Sequence, residues 1–290
     1  MPIEPGECLS SWILRIANRD TPNFQSFSTK WLGDPMRVTP GFDAFPAASL
    51  LMQLGAIPPD ELDHYITRHT LLGTTKPFYT EDEWKALITT HGTEGSRIYS
   101  LRRKQKQEFW HICPACRSHQ LLQGIATWQV LPQVPGALYC SEHNVPLAFS
   151  TSTRIPPLSA PTEGDLLPTP ARAESTDIDH KEDHLTIARD VADAFKAGLP
   201  CRHTGRALRD AIAQPLFGGP WSPKLKIWPV LTKRFGEPFL DAVQVRTYHE
   251  TQFHLGRLHP SYHGVVYLAL LAKAFGTNLR ALLATVSQNA

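Results

Sequence analysis

Cys113-Pro114-Ala115-Cys116, then 23 residues, then Cys140-Ser141-Glu142-His143 is the feature that most limits what this chain can fold into. Two pairs of soft or borderline ligands, each pair separated by two residues, suit a tetrahedral Zn²⁺. Three thiolates and an imidazole close the coordination sphere, so the predicted ion is structural and leaves no position for a reacting water. Other readings of the same residues stay open. Cys113 and Cys116 could form a redox pair, but that leaves Cys140 and His143 unexplained. The cysteines could be unrelated core residues, and His111 or His119 could replace His143 as the fourth ligand. Cys8 and Cys201 have no partner at such a spacing and read as small buried residues.

Composition bears on the rest of the chain. Of 290 residues, 42% are hydrophobic and 19% charged, which excludes a largely disordered chain. Five cysteines are too few for a disulfide scaffold of this length. The start, MPIEPGECLSSW, has no basic region followed by an apolar one, and no run of about 18 apolar residues occurs. A cytoplasmic protein with no membrane association is the expectation. The net charge of +2 conceals an alternation: −4 over residues 1–100, +3 over 101–150, −4 over 151–200 and +7 over 201–290. Such a field suits a polyanion, and equally a solvated basic surface.

The pattern predicts a mainly α protein: helix-turn-helix-containing helical domains with a small β-containing, zinc-ribbon-like module between them. Residues 1–92 form the first helical part, with helices after a Ser10 cap, from Thr21 to Leu32, Pro46 to Leu54, Asp60 to Leu72 and Thr80 to Thr90. A zinc-binding module occupies about 97–150 and completes an N-terminal domain over 1–150. Within it, Ile125 to Tyr139 is β-branched and aromatic and predicts short strands and turns. Residues 151–176 form a proline-rich linker. The C-terminal domain, 177–290, is basic and helical, with helices at Asp183–Ala197, Gly205–Ala213, Trp228–Phe235, Pro238–Val245 and about Ser261–Phe275.

Helix–glycine–helix pairs occur around Gly55 and Gly236, the outline of a helix-turn-helix or of plain helical core. Candidate phosphate contacts are Arg102, Arg103, Lys104 and Lys106 in the first basic stretch. Lys224, Lys226, Lys233 and Arg234, around the second helix pair, are the others. Catalysis has little support. The chain lacks G-x-x-x-x-G-K-[ST], H-E-x-x-H and G-x-S-x-G, and its one H-x-E follows the cysteines instead of preceding them.

The opening Gly6-Glu7-Cys8-Leu9-Ser10-Ser11-Trp12-Ile13-Leu14-Arg15-Ile16-Ala17 resembles the N-terminal motif of TniQ-family transposition proteins. The block from Ile112-Cys113-Pro114 through Cys140-Ser141-Glu142-His143 to Pro146-Leu147 resembles the family's zinc-binding block. A looser likeness continues at His259-Pro260. Where many members carry a further Cys-x-x-Cys, this chain reads Ala148-Phe149-Ser150, so one zinc is implied. The resemblance implies a non-catalytic target-selection adaptor that links target DNA, or an RNA-guided CRISPR effector complex, to an AAA+ ATPase regulator of transposition. It allows a homodimer. A zinc-containing helix-turn-helix transcription regulator is the alternative that needs no ATPase, and a zinc-dependent enzyme is a further one.

Overall fold

The computed structural model describes residues 2–20, 44–90, 110–125, 127–150, 166–168, 180–203, 207–219, 227–246 and 264–288. The expected helix at Thr21–Leu32 and the linker apart from 166–168 lie outside them. The fold is mostly helical with a small sheet, as the pattern predicts. Two compact units divide the chain: residues 1–73, 91–133 and 145–169 form one, and 74–90, 134–144 and 170–290 the other.

In the first unit, helix α1 (Leu9–Asp20) packs on α2 (Ala44–Gln53), and α2 on α3 (Leu62–His69). Helix α1 begins one residue before the expected cap, so Ser10 lies in its first turn and is buried. Leu9, Trp12, Ile13, Leu14 and Ala17 are the buried face of α1, and Trp12 stacks on Tyr65 at 5.9 Å. The helix expected over Asp60–Leu72 is broken into a 3-10 turn (Pro59–Glu61), α3, and a second 3-10 segment over Leu71–Phe78. Thr70 leaves helical geometry at φ −139° and ψ 158°.

Three short antiparallel strands build the sheet: β1 (His111–Ile112), β2 (Ala148–Ser150) and β3 (Leu166–Pro168), in the order β1-β2-β3. His111 pairs with Phe149, and Phe149 with Leu167. Helix α5 (Pro114–Leu122) follows β1 directly. Among the described residues, the strands expected within Ile125–Tyr139 are replaced by a 3-10 turn at Leu131–Gln133 and single bridge residues, Gln129, which pairs with Glu7, and Tyr139. Pro132 and Pro135 carry no N–H to give to a ladder, which explains why this β-rich composition stays irregular.

The second unit is helical: α4 (Glu81–Thr90), α6 (Lys181–Ala197), α7 (Ala207–Phe217), α8 (Ile227–Phe235), α9 (Glu237–Ala242), α10 (Gly264–Ala274) and α11 (Leu279–Gln288). Thr80 and Glu83 form a capping box on α4: Glu83 N–H donates to Thr80 Oγ1 at 3.3 Å and Thr80 N–H to Glu83 Oε2 at 2.8 Å. Helix α10 is its centre. Residues 264–272 are all buried, and α10 packs on α6, α8 and α11. Gly264 is required because any Cβ there would collide with the Phe78 ring. Helix α11, which the sequence pattern did not single out, starts with two side-chain acceptors: Asn278 Oδ1 for Ala281 N–H and Asp190 Oδ2 for Leu279 N–H, both at 2.8 Å. Among the described residues no single helix is long and apolar enough to cross a membrane.

Candidate metal centre

The first ligand pair is made by a strand running into a helix. Cys113 is the N-cap of α5, in extended geometry, and Pro114 occupies the first turn, where its missing N–H costs nothing. Cys116 N–H then points back at Cys113 Sγ, 3.4 Å away. Donation to sulfur and the positive end of the helix both favour negative charge there.

The second pair sits on a turn. His143 N–H donates to Cys140 Sγ at 3.5 Å, and Asn144 N–H closes the turn on Cys140 O at 3.0 Å. Asn144 takes the left-handed conformation, φ 57°, which asparagine tolerates better than most residues. Gly136 allows the chain to reach this turn: its φ is +87°, and a Cβ would lie 2.5 Å from Val243 O.

Cys113 Sγ, Cys116 Sγ, Cys140 Sγ and a ring nitrogen of His143 all lie within 4.8 Å of one another. Cys113 and Cys140 are buried, Cys116 is half-buried and His143 is exposed. The donor set of three thiols and one imidazole fits a tetrahedral ion, and these four residues could hold one. His111 and His119 are not part of the cluster. His111 stands on β1, where burial pushes its imidazole down to about 4. None of the five cysteines forms a disulfide.

A second constellation, which sequence reasoning quoted as a motif without seeing its function, is centred on Glu7. The Glu7 side chain is fully buried. It accepts from Ser11 Oγ at 2.8 Å, from Glu4 N–H at 2.9 Å and from Arg15 twice, at 2.8 and 2.6 Å. Arg15 also donates to Pro2 O, and a ring nitrogen of His69 meets Glu7 O at 2.8 Å. A partial signal was available: Ser11 and Arg15, four residues apart, share one face of α1, with Glu7 in the turn just before the helix.

A family model described as TniQ matches residues 1–147, half of the chain. The chain belongs to the TniQ family. A search of curated proteins finds no match. Membership associates the chain with DNA transposition, and the matched stretch contains both the Glu7 constellation and all four candidate ligands.

The expected DNA contacts fare differently by position. Arg102, Arg103, Lys104, Lys106, Lys224 and Lys226 lie outside the described residues. Lys233 and Arg234 are exposed in the last turn of α8. Arg234 is drawn toward Asp183 at 3.3 Å and lies over the Phe235 ring. In the pair α8–Gly236–α9, the exposed positions Glu237 and Asp241 of α9 both bind Arg246, at 2.8 and 2.7 Å. In the other pair, α2 and α3 are joined through Gly55, with φ +66°.

Proposed function

We propose that this TniQ protein is a non-catalytic adaptor of transposition target selection, linking target DNA or a target-recognition complex to an AAA+ regulator. The family match over residues 1–147 carries the reading. The clustered donors support its structural half. Cys113, Cys116, Cys140 and His143 would hold one Zn²⁺, which when bound supplies a cross-link between two turns and no chemistry on a substrate. Residues 97–150 are then a braced module, and the basic residues around it and around α8 contact phosphates.

Metal analysis of the purified chain should give one zinc per molecule. Its cobalt-substituted form should have a tetrahedral spectrum with three sulfurs and one nitrogen. Capture experiments with an AAA+ ATPase regulator of transposition should retain that ATPase. A chain that never binds the ATPase, with or without target DNA, is not this adaptor. DNA affinity should fall with salt at a slope set by the number of phosphates neutralised, and a slope near zero removes the basic residues from the interface.

A further inference from the structure

Among the described residues strand β1 is an edge strand: one side pairs with β2, and the other has no strand beside it. That open edge is filled by a side chain. Gln133, only 1% exposed, receives His111 N–H on Oε1 at 2.9 Å and donates Nε2–H to His111 O at 2.6 Å. Its Nε2 also donates to Gln129 O at 3.1 Å. The amide thus imitates a neighbouring strand two residues before Cys113. Beyond the ligand pair, Gln120 on α5 grips Thr127 in the same two-way manner, at 2.8 and 3.2 Å. Both ends of the Cys113–Cys116 turn are therefore fastened to the segment 127–133.

That segment is in turn sewn to the N-terminal motif. Cys8 N–H donates to Trp128 O at 2.8 Å and Val130 N–H to Gly6 O at 2.9 Å. Trp128 N–H donates to Ser11 Oγ at 3.0 Å, the same hydroxyl that donates to Glu7. Ser11 and Glu7 are fully buried and Trp128 nearly so, and the Trp110 and Trp128 rings meet at 5.2 Å. Buried hydrogen bonds of this kind hold geometry because breaking one leaves an unpaired polar group away from water.

We infer that the Gly6–Arg15 motif, acting through Ser11, segment 127–133 and Gln133, is a positioning element that presets Cys113 and Cys116 for their metal. Through the hydrogen bonds above it acts on the backbone that carries two of the candidate ligands. The inference rests on the metal reading above, and it gives Glu7 and the Ser11 and Arg15 side chains of α1 a function other than contact with DNA or a protein partner.

The test is competition for the bound metal between the full-length chain and a chromogenic chelator. Ser11→Ala and Gln133→Leu are compared with wild type and with Lys85→Ala, an exposed change on α4. Outer hydrogen bonds to metal sites are worth about 10–100-fold in affinity. Each test variant should give up metal about tenfold more readily than wild type, with a broadened cobalt spectrum. Lys85→Ala should match wild type, and Ser11→Thr, which keeps the hydroxyl, should restore retention. Should Gln133→Leu fail to fold, Gln120→Leu at the half-buried Gln120 replaces it. Folded variants that hold metal as tightly as wild type overturn the inference. A wild-type chain that binds no metal at all overturns instead the metal reading on which it stands.

Discussion

The two candidate ligand pairs are held by frames of opposite chemistry. Around Cys113 and Cys116 the hydrogen bonds of the frame join mostly buried, neutral groups, the amides of Gln133 and Gln120 and the hydroxyls of Thr127 and Ser11, beside two tryptophans. Its charged members, Arg117 and the Glu7–Arg15 pair reached through Ser11, are themselves largely buried. Around Cys140 and His143 it is exposed and charged. Arg189 donates to Asn144 Oδ1 at 2.9 Å, and Lys196 pairs with Glu142 at 3.1 Å, each partner of that ion pair more than half exposed. Buried neutral hydrogen bonds keep their strength in salt, whereas exposed ion pairs are screened and contribute little. The difference teaches that similar-looking two-residue spacings are not equivalent: one pair is preset by its surroundings, the other is the adaptable half.

The largest effect should come from the preset half. Cys113→Ala removes a fully buried ligand, and with it most of a metal-linked folding energy that for structural zinc is on the order of 10 kcal/mol. His143→Ala, at the exposed position, leaves three sulfurs and room for a water, so partial metal retention is expected. Metal stoichiometry and thermal melts on the two variants would break the comparison if His143→Ala proved the more damaging.

Next comes the ion pair that anchors the buried frame. Glu7→Gln leaves the Arg15 guanidinium, about a tenth exposed, without its charge partner. Breaking a buried pair from one side costs about 3–5 kcal/mol, read as a shift of the denaturant midpoint. A loss below about 1 kcal/mol would mean that Ser11, the Glu4 N–H and solvent suffice to hold the frame.

How much of this was legible in the sequence depends on the range of the interaction. Helix punctuation by glycine and proline is local, and it located α6, α8 and α10 within a few residues. The clustering of Cys113, Cys116, Cys140 and His143 was also legible, since each pair needs only a two-residue turn. The Gln133 amide and β3 were not, because their partners lie 22 and about 18 residues away and depend on the sheet already existing. Segment 125–139 misled for a related reason: its side chains favour strands, but its prolines remove the donors. Helix α11 escaped notice because one of its two N-terminal acceptors, Asp190, is 89 residues distant.

A third effect separates burial from charge. His184 lies between Tyr139, at 5.6 Å, and Phe239, at 4.3 Å. Burial, reinforced by nearby His180 and opposed by Asp183, pushes its imidazole down to about 4. The folded chain therefore refuses a proton that the unfolded chain accepts. Stability from this group is complete above the ordinary histidine value near 6.5 and is lost as pH falls toward 4, by about 3 kcal/mol at most. His184→Phe should flatten that part of the stability–pH curve. An unchanged slope between pH 6.5 and 4 would assign the acid sensitivity elsewhere.

The smallest effect is the sharpest test of the charged frame. Lys196 and Glu142 are 57% and 58% exposed, so their attraction is set by water and weakened further by salt. Lys196→Ala should cost no more than about 1 kcal/mol at low ionic strength and nothing measurable at 1 M salt. Wild-type metal retention should show the same salt response, small and saturating, if the exposed pair helps to shape the Cys140–His143 turn. Gln133→Leu should behave in the opposite way, its deficit persisting undiminished at 1 M salt because no charge is involved. If both deficits disappear with salt, the contrast between a buried neutral frame and an exposed charged one is wrong, and a single electrostatic field governs both pairs.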